Sequence, residues 1–226
     1  MEAIDINSSL ERCELSRLLG RRGHESFSCS LRTKIENCKR TLRNLLAPQL
    51  HHRMQGIDRI EIESVGLKGD RTFRSRKLAE ALKDSEEIIC FVATLGSGLD
   101  REILRLMAEK RLSQAYVLDA MGSVAVEDMV EQFYQRKQIE FAAENKSVTL
   151  RFSPGYCDWP VSEQKQLFSL FGSEHTGVEL LESCLMTPRK SISGVFGLFY
   201  STNTQFNSPY NPCRDCKKTD CVARRS

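Results

Sequence analysis

Apolar positions along the chain recur with a helical period in some stretches and a period of two in others, and the switches between them mark the elements. "LERCELSRLLG" carries a helical stripe that stops at Gly20. A second helix is expected from about Thr33 to Leu46, ended by Pro48. "IDRIEIESV" alternates around Ile60 and Ile62, as a half-buried strand does. "SRKLAEALKDS" predicts a short helix with Ser75 as N-cap. "EIICFVATLG" is a continuous apolar run, hence a central strand. It ends in Gly-Ser-Gly, and "LDREILRLMAEKR" then places Leu99, Ile103, Leu106 and Met107 on one helical face.

"QAYVLDAMGSVAVEDMVEQFYQRK" is the strongest helical stretch, and its small residues Ala120, Gly122, Ser123 and Ala125 permit close packing. Asp119, Ser123 and Glu127 share one broad side of it, because four-residue steps stay near one face. Buried, unpaired acids are costly, so the simplest expectation sends both carboxylates to solvent. "SVTLRFS" predicts a strand, and "SEQKQLFSLFG" a helix from about Ser162 to Gly172. "VELLESCLMTPRKSISGVFGLFYS" predicts strand, turn and strand. No internal repeat or low-complexity linker interrupts this order. One domain over 1–210 is expected, with a helical N-terminal region over 1–55 and a cysteine-bearing tail over 211–226.

Composition narrows the function. The 33 basic and 30 acidic residues leave +3, too weak and too evenly spread to indicate a nucleic-acid partner. No apolar run reaches membrane-spanning length, and the start lacks a basic segment followed by an apolar core. Six of the nine cysteines are scattered singly, which fits reduced thiols and a cytoplasmic location.

Candidate chemistry is sparse. The Gly-Ser-Gly between strand and helix lacks both the dinucleotide fingerprint and a phosphate-loop lysine, so a tight turn is the expected reading. His24, His51, His52 and His175 show no helical ligand spacing, and no nucleophile elbow is present. "CRDCKKTDC" differs: Cys213, Cys216 and Cys221 can put three thiolates around one metal ion or cluster. A fourth ligand would be needed, and Cys157 is the nearest candidate in character. Zinc, an iron–sulfur cluster and free thiols all stay open on three ligands.

"LRFSPGYCDWP" is the other unusual stretch. Pro154 fixes its own φ, Gly155 lets the chain turn, and Tyr156 and Trp159 supply flat faces beside one guanidinium. A rigid turn with free amides next to Arg151 suits a ligand that carries a carboxylate and a heterocycle. The alternative is an arginine paired with the domain's own acids.

Arg151-Phe152-Ser153-Pro154-Gly155-Tyr156 resembles the S-adenosylmethionine-binding signature of the activation domain of cobalamin-dependent methionine synthase. "LLESCLMTPRKSISGVFG" resembles that domain's strand-turn-strand segment, and the helix holding "AVEDMVEQFYQ" its acid-bearing helix. "LSRLLGRRGHE" and "VLDAMGSVAVE" look more like small stand-alone members of the family. The cysteine tail has no counterpart in the fused domain. With the element order, the resemblance implies an α+β fold: a central twisted, largely antiparallel sheet flanked by helices.

It further implies a subunit that binds S-adenosylmethionine and supports reductive methylation of cobalamin on a partner, a methionine synthase or related corrinoid protein. An electron donor supplies the reduction. Such a chain is part of a methyltransferase system in methionine biosynthesis rather than a complete enzyme. Carried over by position, Arg151 would hold the ligand carboxylate, while Pro154, Gly155 and Tyr156 would wall the pocket. Glu127 would face the positive end of the ligand, with Ser191, Ser193 and Tyr200 on the neighbouring strand. Two other readings stay open: an iron–sulfur reductive activator of a corrinoid protein, and a non-catalytic ligand-binding module of a methyltransferase complex.

Overall fold

A computed structural model describes residues 13–19, 28–200, 210–214, 216–217 and 221. The continuous apolar run becomes β4 (Glu87–Thr94), and alternation along it explains the whole architecture. Ile89, Phe91 and Ala93 point into one core, while Ile88, Cys90 and Val92 point into another. A strand apolar at every position therefore needs cover on both faces.

Around it lie β1 (Gln49–Ile60), β2 (Ser64–Leu67), β3 (Arg71–Arg74), β5 (Lys146–Val148) and β8 (Ser191–Tyr200). They form one sheet in the order β3-β2-β1-β4-β8-β5, with every pairing antiparallel. β6 (Glu179–Leu180) and β7 (Met186–Thr187) make a separate small hairpin. The expected α+β fold, a largely antiparallel sheet flanked by helices, is what forms.

The first face is covered by α1 (Cys13–Leu18), α2 (Cys29–Leu45), α4 (Gly98–Ala108) and α5 (Leu112–Ala142). α5 lies across the sheet and is buried on most sides along its middle, from Ala115 to Tyr134. Gly122 is part of that closeness, since a Cβ there would lie 2.4 Å from Leu99 Cδ2. The second face is covered by α3 (Arg76–Leu82), α6 (Gln164–Ser169) and the 152–159 stretch, with Phe152 and Trp159 in the core.

Ser75 caps α3 as its side chain predicts, accepting from Leu78 N at 2.9 Å. It also donates to Asp158 Oδ1 at 2.6 Å, tying the helix to the 153–159 turn. Ser75→Ala is expected to cost about 1 kcal/mol in a denaturant titration, the usual worth of such a cap.

Several expectations need correction. The N-terminal helices end at Leu45 and the chain enters β1 at Gln49, so 49–55 is strand and His51 and His52 lie within it. Ile62 is 80% exposed and lies beyond β1. On α4, Leu99, Ile103 and Leu106 are buried, but Met107 is exposed. The strand predicted from "SVTLRFS" is regular only over Lys146–Val148. Gly20 and His24 fall outside the described residues. No described helix is long and apolar enough to cross a membrane.

Candidate functional site

Arg151 owes its position to an irregularity in the sheet edge. Thr149 N donates to Gly197 O at 3.0 Å, and Thr149 Oγ1 accepts from Gly197 N at 2.9 Å. Phe152 then exchanges both backbone bonds with Val195, each 2.8 Å. Three steps on one strand thus match two on the other, a bulge of the kind that re-aims a side chain. Phe152 enters the second core, and Arg151 turns toward α5.

There the guanidinium meets a stripe of α5 residues three and four apart. Arg151 Nη2 donates to Glu131 Oε2 at 3.0 Å, and Nη1 lies 3.9 Å from Glu127 Oε2. The guanidinium carbon sits 5.8 Å from the centre of the Tyr134 ring, whose hydroxyl donates to Thr149 O at 2.7 Å. The Arg151 side chain is 16% exposed, whereas Glu127 is 59% exposed. Arg151 is therefore paired with the domain's own acids, one contact close and one loose. Glu131 and Tyr134 were not singled out in the sequence, although their spacing from Glu127 on one helix is the signal that finds them.

The 153–159 turn is self-bonded. Gly155 N donates to Trp159 O at 2.8 Å, Tyr156 N to Ser153 O at 3.2 Å, and Trp159 N to Tyr156 O at 3.1 Å. This corrects the expectation of free amides: those of Gly155 and Tyr156 are spent inside the turn. Gly155 has φ of 92°, and its would-be Cβ comes no nearer than 3.8 Å to Val161, so conformation rather than space calls for glycine. Pro154 is buried and Tyr156 is exposed. Trp159, only 1% exposed, packs edge-on against Phe73 with ring centres 5.2 Å apart and offers no face to a ligand.

Ser191 and Ser193 lie on β8 and point into the second face. The Ser191 hydroxyl donates to Pro188 O at 2.6 Å and lies 2.9 Å from Thr94 Oγ1. Ser193 is buried, and its hydroxyl finds no partner among the described residues. It lies two residues before Val195, the partner of Phe152, so it is close to the turn. Tyr200 ends β8 five residues beyond Val195, about 17 Å along the strand from the partner of Phe152 at the usual rise per residue. There Lys146 Nζ stands 5.4 Å from its ring centre, beside an open cleft of about 690 Å³ that Arg59, Lys68 and Lys83 also line.

On α5, Asp119 pairs with Lys190 Nζ at 2.8 Å, and the same ammonium donates to Ser123 Oγ at 2.8 Å. Asp119 is thus a partnered acid, not the solvated one expected. The Gly-Ser-Gly turn has a packing explanation, as a Cβ on Gly98 would lie 2.7 Å from Leu45 O. In β1, His51 Nδ1 is 2.8 Å from Glu174 Oε1, and burial lowers the pKa of His52 beside Phe133.

The tail returns to the second face. Tyr210 packs on that core, Pro212 is buried, and Lys77 Nζ donates to Pro212 O at 3.4 Å. Cys213, Cys216 and Cys221 are half-buried. No three His, Cys, Asp or Glu side chains among the described residues stand in an arrangement that could hold a metal ion.

Comparison with known proteins agrees with this architecture. No curated protein matches the chain in sequence. A solved crystal structure of the MetH reactivation domain bound to AdoHcy superposes with a TM-score of 0.67 at 16% identity, covering 87% of this chain and 76% of that one. The sequence model of the family described as "Vitamin B12 dependent methionine synthase, activation domain" matches residues 83–208. That match takes in more than half of the chain, including β4, α5, the bulge, the turn and β8, and on it the chain belongs to the family of vitamin B12-dependent methionine synthase activation domains.

Proposed function

We propose that this chain binds S-adenosylmethionine beside the 151–156 segment and serves reactivation of cobalamin held by a partner corrinoid protein. The observation that carries this reading is the family match over 83–208, which contains Glu127, Arg151, Pro154, Gly155, Tyr156, Ser191 and Ser193. The structural relative bound to AdoHcy supports a ligand of the same class.

The residues fit such a ligand in chemistry. Arg151 is a planar fork suited to a carboxylate, held at the rim by Glu131 and only loosely by Glu127. A ligand carboxylate competes with those acids for the guanidinium, and Glu127 puts a negative charge on the side of a cationic ligand centre. Tyr156 supplies an exposed ring, and Gly155 and Pro154 a fixed wall. Tyr200 has no part in this reading.

When bound, S-adenosylmethionine supplies an electrophilic methyl group on a sulfonium. The chain then needs no acid–base pair. Its residues bind, orient and leave the methyl open to a docked partner, so catalysis rests on positioning. An electron donor to the partner completes the system, and the chain is a component of a methyltransferase rather than the whole.

Calorimetry with S-adenosylmethionine tests the reading: saturable one-site binding is expected, and its absence from folded protein overturns it. The purified chain alone is also expected not to methylate homocysteine. Turnover without a corrinoid partner would refute the assignment as a component.

A further inference from the structure

The fold brings a cysteine of the turn to the cysteines of the tail. Asp158, next to Cys157, accepts from Ser75 Oγ and from Lys77 N, the latter at 3.2 Å. The Lys77 side chain in turn bonds Pro212 O, the residue before Cys213. One residue of α3 thereby holds both segments. The tail segment is itself shaped as a turn, with Cys213 N donating to Asn211 Oδ1 at 3.0 Å and Cys216 N to Cys213 O at 3.4 Å. Cys157 is exposed and sits in the left-handed region at φ of 56°, a conformation maintained by the self-bonded turn.

We propose that Cys157, Cys213, Cys216 and Cys221 form a four-thiolate site for a soft metal centre, zinc or an iron–sulfur cluster. Thiolates select these centres over hard cations, and both take four cysteines drawn from a C-x-x-C turn and other segments. Proximity is carried by Lys77, whose backbone N–H bonds the residue after Cys157 and whose ammonium bonds the carbonyl of the residue before Cys213. Cys221 follows Cys216 by five positions, within about 17 Å of extended chain. The side chains as they stand do not form a metal-holding group, so loading requires the thiols to rotate and the 213–216 turn to tighten. The site lies by Lys77, apart from the Arg151–Glu131 pair, and does not depend on the ligand reading above.

The test uses the full chain purified without oxygen, assayed for zinc, iron and acid-labile sulfide, and then loaded in separate arms with Zn²⁺ alone or with Fe²⁺ and sulfide under reductant. One metal centre per chain is expected in one arm, with thiolate-to-iron absorbance if that arm is iron. Cys157→Ser should lose the centre, as should Cys213→Ser and Cys216→Ser, while Cys29→Ser, at the exposed start of α2, should keep it. Circular dichroism and S-adenosylmethionine calorimetry on the same samples separate loss of the centre from loss of fold or of the ligand site. Failure to load either metal into folded protein, or equal loading of Cys157→Ser and wild type, overturns the proposal.

Discussion

Arg151→Ala is expected to weaken S-adenosylmethionine binding by about 2 kcal/mol or more, roughly thirtyfold, the scale of a hydrogen bond to a charged group. The structure sharpens this expectation. Arg151 already bonds Glu131 at 3.0 Å, so the free protein offers a guanidinium with a competitor in place. Its removal takes away the ligand's partner and also leaves Glu127 and Glu131 facing each other across one helical turn, with like charges that oppose an anion. Arg151→Lys should recover only part of the loss, since an ammonium keeps the charge but not the fork. Glu131→Gln should bind at least as tightly as wild type if ligand and acid compete. Unchanged affinity in Arg151→Ala, with the melting temperature preserved, would remove Arg151 from the site.

Trp159→Ala is expected to cost about 3–5 kcal/mol of stability, the usual penalty for truncating a buried aromatic residue. Trp159 is 1% exposed, meets Phe73 edge-on, and packs in the core that includes Leu78, Leu167, Phe171 and Val195. A chain of this size should then melt roughly 6–20 °C lower. Circular dichroism is the suitable probe, because Trp159 is the chain's one tryptophan and the substitution removes the fluorophore. Since the backbone bonds of the turn run to Trp159 itself, ligand affinity should fall as well, and Trp159→Phe should restore much of both. A stability loss below about 1 kcal/mol would mean that the ring does not anchor the turn.

Some of the site was readable locally. Ser75 capping α3 and the left-handed glycine in Pro-Gly-Tyr follow from side-chain chemistry within three or four residues. The partners of Arg151 were not readable, because they depend on how far along α5 the bulged segment lands. β1 was missed over Gln49–Gly56 because "QLHHRMQG" has no apolar alternation. Its strand state is imposed by eight backbone pairs with β4, a non-local cause. The free amides expected of the 153–159 turn were a miss of the opposite kind: the turn satisfies them internally, as a rigid turn does when it must hold without a ligand.

The order of residues alone makes the central strand legible. An unbroken apolar run at Glu87–Thr94 requires cover on both faces, and helices of matching period lie before and after it. It also determined the stiff, proline-bounded turn with a charge at its start. Long-range packing alone settles that this charge meets Glu131 and Tyr134, that Ser193 stays near the turn while Tyr200 ends the same strand, and that Lys77 ties the turn to the tail. Periodicity and turn chemistry act over a few residues. Register, bulges and the return of a distant tail are set by which long-range contacts bury apolar surface and satisfy backbone groups together, and no local stretch encodes that choice.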